Sequence, residues 1–213
     1  MFGWKKAPAP RRMSEISGAL DGGFYHARGL MAGTRVGTSM GWRRVEALQA
    51  GDLVLTFDNG LQPLVELRRE IFWVTPETGL ETVLIPAGAM GNAVDVELLP
   101  DQGVLIESDA ACDAHGDPFA VVRAKVLAGF RGTRCIDAPR QMEVITLVFA
   151  AEEVIYAEAG VLVHCPRAIV RLDDLGVALP AYDVLDDQAG AFLVDYMTLD
   201  PQGGPLAPHP AAA

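Results

Sequence analysis

Cysteine is scarce in this 213-residue chain: Cys112, Cys135 and Cys165 are the only three, and they lie far apart. An odd, widely spaced set excludes a disulfide framework and fits a reducing compartment. Long apolar runs are also missing. Half the residues are hydrophobic, yet nowhere do about 18 follow one another uninterrupted, so no membrane-spanning helix is expected. The start, Met1-Phe2-Gly3-Trp4-Lys5-Lys6, is basic, but Pro8, Pro10, Arg11 and Arg12 occupy the place where a signal peptide needs its apolar segment. The chain therefore reads as cytoplasmic, or as exported without a cleavable signal peptide.

Basic residues are depleted along most of the chain. The net charge is -11, and residues 1–44 hold eight Lys/Arg against two Asp/Glu, leaving nine against twenty-six for the rest. No Lys or Arg follows Arg171, while Asp173, Asp174, Asp183, Asp186, Asp187, Asp195 and Asp200 accumulate there. Such an acidic body argues against nucleic-acid binding, because phosphate contacts need a basic face. The basic head reads as a solvated arm or as a contact for an acidic protein partner.

What is present is the material of one mostly β domain, long enough to bury roughly 70% of its unfolded surface. Residues 1–28 read as a flexible basic leader, because Pro8, Pro10, Gly18 and Gly22-Gly23 interrupt any apolar period and leave at best a helical turn near Ser14–Leu20. From Leu30 onward, short apolar runs alternate with turn residues. Leu53–Phe57 runs into Asp58-Asn59-Gly60, whose Asn-Gly pair marks a tight turn joining two strands. Residues Leu64–Val74 read as a long strand, and Glu81–Ile85, Val94–Leu98, Gly103–Glu107, Glu143–Phe149, Glu153–Glu158 and Val161–His164 as shorter ones. Phe119–Ala128 reads as a strand entering a short helix that stops at Gly129. Between Pro166 and Pro180 lies an apolar-acidic connector, after which Asp183–Leu185 and Ala191–Leu199 are predicted to add an edge hairpin. Pro205–Ala213 reads as a frayed tail, and no internal repeat is visible.

Several blocks stand in a fixed order: Gly33-Thr34; a short helix ending at Leu48; Gly51-Asp52 entering a strand; Asp58-Asn59-Gly60-Leu61-Gln62-Pro63; Ile85-Pro86-Ala87-Gly88-Ala89-Met90-Gly91; Leu99-Pro100-Asp101-Gln102-Gly103-Val104-Leu105; and Thr146–Phe149 running into Glu153–Ala157. Each is weak alone; in physical terms Gly33 permits a close approach or a positive φ, and the Asp52 carboxylate suits capping of neighbouring amides. In order, they resemble the Hedgehog/intein (Hint) domain, in particular its bacterial Hint_2-type branch. The resemblance spans about Gly29 to Cys165. It implies a Hint fold of short antiparallel strands with one or two short helices over 29–165, followed by an acidic C-terminal extension over 166–213.

The resemblance also implies a chemistry. Members of this family use a thiol or hydroxyl at their first residue to attack the preceding carbonyl, and a histidine protonates the leaving amide. Here the first position falls on Gly29, which has no side chain. The second-block histidine falls on Gln102, whose amide donates a hydrogen bond but delivers no proton near neutral pH. A later histidine falls on Glu152. The implied protein is a Hint domain without its usual catalytic residues, serving as a non-catalytic binding or structural module with a possible protein partner and no cofactor or metal. The alternative is a self-processing enzyme cleaving near Gly29 or Thr34 through other residues.

Other signals have plainer readings beside them. Val161-Leu162-Val163-His164-Cys165 is similar to an intein C-terminal junction, but no asparagine stands between His164 and Cys165 to cyclise, so a strand-end histidine beside a partly buried cysteine is expected. Cys112 and His115 have a metal-like spacing without a second pair. Pairing of Cys112, Cys135 or Cys165 with His26, His115 or His164 is open at the level of sequence, since such partners meet only in the fold. Thr34 and Ser39 lie near the expected scissile region as substitute hydroxyls. Glu152-Glu153 and Asp173-Asp174 fit no calcium-loop pattern and read as solvated turns. Similar bacterial domains often accompany exported proteins, which leaves a role in a secreted assembly as a third reading.

Overall fold

The computed structural model describes residues 12–13, 28–75, 79–109, 111–112, 116–165, 167, 181–182 and 184–199. In chain order the strands are β1 (Arg12–Met13), β2 (Leu30–Met31), β3 (Arg35–Thr38), β4 (Gly41–Arg44) and β5 (Leu53–Thr56). They continue with β6 (Gly60–Pro63), β7 (Glu66–Trp73), β8 (Glu81–Ile85), β9 (Val96–Leu98) and β10 (Gly103–Glu107). The last are β11 (Phe119–Arg123), β12 (Arg134–Asp137), β13 (Gln141–Val148), β14 (Glu153–Ala157) and β15 (Val161–Cys165), before a helix α1 (Asp187–Leu199). Single 3-10 turns occupy Val45–Ala47, Ala124–Leu127 and Phe130–Gly132. The expected leader, including Ser14–Leu20, lies outside the described residues except for Arg12–Met13, whose backbone pairs in parallel with Glu70–Ile71, and Arg28.

Two sheets enclose the core. One runs β1-β7-β13-β2-β9-β8-β12, the other β11-β10-β15-β14-β3-β5-β6 with β4 added on β3. The arrangement is mostly antiparallel, as expected for short apolar strands joined by tight turns. The Asn59-Gly60 signal closes β5 onto β6: Thr56 pairs with Gly60, the Thr56 hydroxyl donates to the Gly60 carbonyl at 2.8 Å, and Gly60 takes φ +64°. The long strand that follows, Glu66–Trp73, is shorter than the predicted Leu64–Val74. It leaves for the other sheet and pairs along its whole length with β13. The Asp52 carboxylate caps as expected, accepting the Gln49 amide at 2.9 Å.

β15 is buried at all five positions and shows why a strand reads as a continuous apolar run when both its faces are covered. Val161, Val163 and Cys165 point into the main core, while Leu162 joins a second cluster with Leu105, Val121 and Val154 on the outer face. Phe57, Phe119, Tyr156 and Tyr182 cover that outer cluster. Tyr182 arrives from the C-terminal part of the chain: Val184 bridges in parallel to Val121, and the Leu185 amide donates to the Val121 carbonyl at 2.9 Å.

Beyond that bridge the structure corrects the sequence-based expectation of an edge hairpin, because Ala191–Leu199 is helical. Asp186 caps α1, accepting the Ala189 amide at 2.8 Å, and Gly190, Leu193, Val194 and Met197 form its buried face. That i, i+3, i+4, i+7 spacing is helical and outweighs the strand preference of single β-branched residues. Burying Leu193, Val194 and Met197 contributes about 1.5–3 kcal/mol each. An ionic cluster fixes the helix start: Lys125 Nζ reaches Asp187 at 2.7 Å and Asp101 at 3.2 Å, and Arg123 reaches Asp187 at 3.0 Å. The hydrogen bond from Lys125 holds the Asp187 carboxyl below its ordinary range. The short strands β2, β3, β4 and β12 carry too little apolar pattern to be predicted from sequence.

One close approach tests this packing. The β14–β15 turn places Gly160 so tightly against the Gly91–Asn92 backbone that an added Cβ overlaps the Gly91 carbonyl. Gly160→Ala is therefore expected to lower the stability measured by urea unfolding by at least about 3 kcal/mol, the upper part of the overpacking range.

Candidate functional site

The peptide bond between Arg28 and Gly29 enters β2 along the side of β13, and both of its polar atoms are held. The Thr146 hydroxyl, on β13, donates to the Arg28 carbonyl at 3.0 Å. The Gly29 amide donates to Oε1 of Gln102 at 2.7 Å, across 73 residues of chain. Nε2 of Gln102 donates in turn to the carbonyls of His164, at 2.8 Å, and Gly103, at 3.1 Å. Only one orientation of the Gln102 amide satisfies an N–H donor on one side and two carbonyls on the other. Gln102 is 2% exposed, so these partners replace water completely.

Gly29 has backbone reasons to be glycine. Its φ is +145°, which L-residues rarely adopt, and an added Cβ would meet Val144 Cγ1 at 2.6 Å and the Ile145 carbonyl oxygen at 3.0 Å. The space that a first-residue side chain would occupy is filled by Val144.

Gln102 links this bond to His164, whose carbonyl it holds. Gly103 makes room for it: a Cβ at Gly103 would come within 2.9 Å of the His164 Cβ. The imidazole packs edge-on against Tyr182 at 5.8 Å between ring centres, and its buried Nε2 has no hydrogen-bond partner among the described residues. Burial lowers the His164 pKa, with the Glu152 carboxylate opposing that shift and Arg28 reinforcing it. Glu152 also accepts the Ala181 amide at 3.0 Å, and the Tyr182 hydroxyl donates to Asp58 at 2.5 Å. Burial, then Asp58, pushes the Tyr182 phenol well above its ordinary value. Cys165, next in β15, turns into the main core, where burial raises its thiol far above the ordinary range.

The structure thus brings Gly29 and Gln102 into direct contact, and it sets Glu152 within electrostatic reach of the histidine that Gln102 holds by its carbonyl. Thr34 is buried past the β2–β3 turn, and Ser39 lies at the exposed β3–β4 turn, at the far end of β3. Cys112 and Cys135 are exposed, Cys165 is fully rather than partly buried, and His26 and His115 lie outside the described residues. Among the described residues no three His, Cys, Asp or Glu side chains gather as a metal cluster. Thr146 and Tyr182 escape a reading of the sequence, since a threonine within an apolar strand and a tyrosine in a connector carry no signal until the chain folds.

A family model, described as a Hint domain, matches residues 28–162, from the residue before Gly29 to the middle of β15 and across more than half of the chain. The chain belongs to the Hint domain family. Solved structures similar to this Hint domain include a splice-inactive variant of the AceL NrdHF class 3 split intein, at 15% identity and a TM-score of 0.44, covering 66% of this chain and 99% of that one. A bacterial intein-like domain from Clostridium thermocellum is similar at 14% identity and a TM-score of 0.45, covering 65% and 99%. No curated protein matches the chain. Within the matched segment, Gly29 and the buried Gln102 amide are in direct contact.

Two measurements probe the site. Gln102→Leu keeps the volume but strands the Gly29 amide and two buried carbonyls; at about 1–3 kcal/mol for each group left unpaired, with partial relaxation, the loss in urea unfolding should be about 2–4 kcal/mol. For His164 the sign follows from its lowered pKa: the unfolded chain binds the proton more readily, so stability is unaffected above about pH 6.5 and falls as the pH drops below it. His164→Phe, which preserves the ring contact with Tyr182, should flatten the fall in denaturation midpoint between about pH 7.5 and 5 by part of its wild-type value.

Proposed function

We propose that this Hint domain is a non-catalytic structural or binding module that keeps the segment before Gly29 joined to its core. The observation that carries the reading is the Gly29 amide donating to Gln102 Oε1. Self-processing requires a proton to be delivered to that nitrogen as the Arg28–Gly29 bond breaks. The side chain in contact with it is instead an acceptor, and the nitrogen's own proton is already committed. Gly29 supplies no nucleophile, and Val144 occupies the volume in which one would stand. The acidic net charge supports a protein rather than a nucleic-acid partner.

One contact favours the alternative of self-processing near Gly29 or Thr34: the Thr146 hydroxyl on the Arg28 carbonyl is placed as an oxyanion donor would be. It stabilises charge on the oxygen but provides neither attack nor proton. Intact-mass measurement of the purified chain, with and without added thiol or hydroxylamine, separates the readings. A single full-length species is expected throughout, and a fragment pair whose masses sum to the whole would overturn the proposal.

Restoring a thiol alone should not restore cleavage. Gly29→Cys must abandon φ +145° and displace Val144, so it should remain intact by mass and lose about 1–3 kcal/mol in urea unfolding. Thiol-induced cleavage of that single variant at its Arg28–Cys bond would show that the site is not closed.

A further inference from the structure

Two exposed apolar surfaces flank the eight-stranded sheet, and their charges are opposite. The first is the outer face of β3, β4, β5 and β6. Pairing sets Gly37 opposite Trp42 and Arg35 opposite Arg44 on that face, while Val36 turns inward and is fully buried. The Trp42 ring and Leu55 both lie against Gly37, Leu55 pairs with Leu61, and Leu53 pairs with Pro63. Trp42 is 39% exposed, Leu53 39%, Leu61 45% and Met40, at the hairpin tip, 80%. Arg35 and Arg44 stand directly opposite each other, an arrangement that is unfavourable for like charges unless an anion lies across them. Glu46 reaches Arg44 at 3.8 Å and the Glu158 carboxylate accepts the Arg35 amide at 2.6 Å, but the Arg44 side chain stays 66% exposed.

The second surface is the solvent side of α1. Phe192, Tyr196 and Leu199 follow at i, i+4 and i+7, and are 66%, 39% and 83% exposed. They form one stripe opposite the buried Gly190, Leu193, Val194 and Met197. The helix carries two aspartates and no basic residue; Asp187 is engaged by Lys125 and Arg123, which leaves exposed Asp195 beside the stripe. Within one molecule the surfaces do not meet: α1 packs on β11 at one edge of the sheet, while β5 and β6 form the opposite edge, with β10, β15 and β14 between.

We propose that these surfaces are the two halves of a head-to-tail contact between copies of this chain. The Phe192-Tyr196-Leu199 stripe of one copy lies on the Trp42-Leu55-Leu61 face of the next, with Asp195 against Arg35 and Arg44. The chemistry matches on both counts: each surface is an apolar centre with aromatic anchors, and the rim of one is cationic where the other is anionic. Because the two surfaces differ, the contact is heterologous, and its repetition builds a ring or an open filament rather than a closed two-fold dimer. The inference does not depend on whether the Arg28–Gly29 bond is ever cleaved.

Sedimentation velocity of the full chain across concentrations from about 1 µM to the high micromolar range, suited to a contact of this kind, is the test. Wild type should form species beyond the dimer as concentration rises. Phe192→Ser, blocked on the helix, and Trp42→Ser, blocked on the sheet, should each remain monomeric, whereas their mixture should give a 1:1 dimer that grows no further. Should Trp42→Ser fail to fold, Arg44→Glu blocks the same face from the surface. Arg44→Glu and Asp195→Arg should each weaken association at least about tenfold, and combining them in one chain should recover most of that loss. A wild type that is monomeric throughout, an equal mixture of folded helix-blocked and sheet-blocked variants that stays monomeric, or a dimer that survives both single blocks would overturn the proposal.

Discussion

A single buried side-chain amide, that of Gln102, ties the two sheets of this Hint domain to each other. It accepts from Gly29 at the start of β2, in one sheet, and donates to Gly103 and His164 on β10 and β15, in the other. Few side chains could bridge them in this way, because a neutral imidazole offers one donor and one acceptor, whereas the amide offers two donors and a carbonyl. The same hydrogen bonds hold Gly29 at its positive φ beside Val144 and seat His164 against the small Gly103. The group that secures the Gly29 amide therefore meets it as an acceptor, and it does so as part of the tie between the sheets.

His164 carries this constraint outward. Its backbone is tied to Gln102, while its ring faces the outer side of β15, where Tyr182 lies edge-on and Glu152 receives the Ala181 amide. Ala181 and Tyr182 thus pack beside Glu152 and His164, and the helix further on reaches the main core with Leu193, Val194 and Met197. The family match stops at residue 162, but the buried apolar surface does not. A desolvated histidine against Tyr182 is a stability element sensitive to acid, because protonating it means charging a buried ring.

Much of the β architecture was legible. Val161–His164, Gly103–Glu107 and Glu81–Ile85 are runs rich in branched residues between turn residues, and Asn59-Gly60 marks its own turn, because these signals are local. Arg35–Thr38 and Gly41–Arg44 were not legible: a four-residue strand with one buried valine, facing a partner with arginines and a tryptophan outside, has no period to detect. α1 was misread as a hairpin strand because its valine and leucines suit either element, and only the core beside β11 selects the helical spacing of Gly190, Leu193, Val194 and Met197.

For the site, Gly29, Gln102 and Glu152 are singled out in the sequence by the resemblance of ordered blocks to the Hint family. Sequence by itself determined which side chains are present at those positions, and hence that no thiol, hydroxyl or imidazole stands at any of them. Only the tertiary structure decided that Gly29 and Gln102 touch, that Val144 fills the space beside Gly29, that Thr146 holds the Arg28 carbonyl, and that Gln102 links this bond to His164, on which Tyr182 packs. The physical reason is distance along the chain: Arg28 and Thr146 are 118 residues apart, and Asp58 and Tyr182 are 124 apart. Hydrogen bonds of that range are set by how two sheets pack, and no local pattern of residues records it.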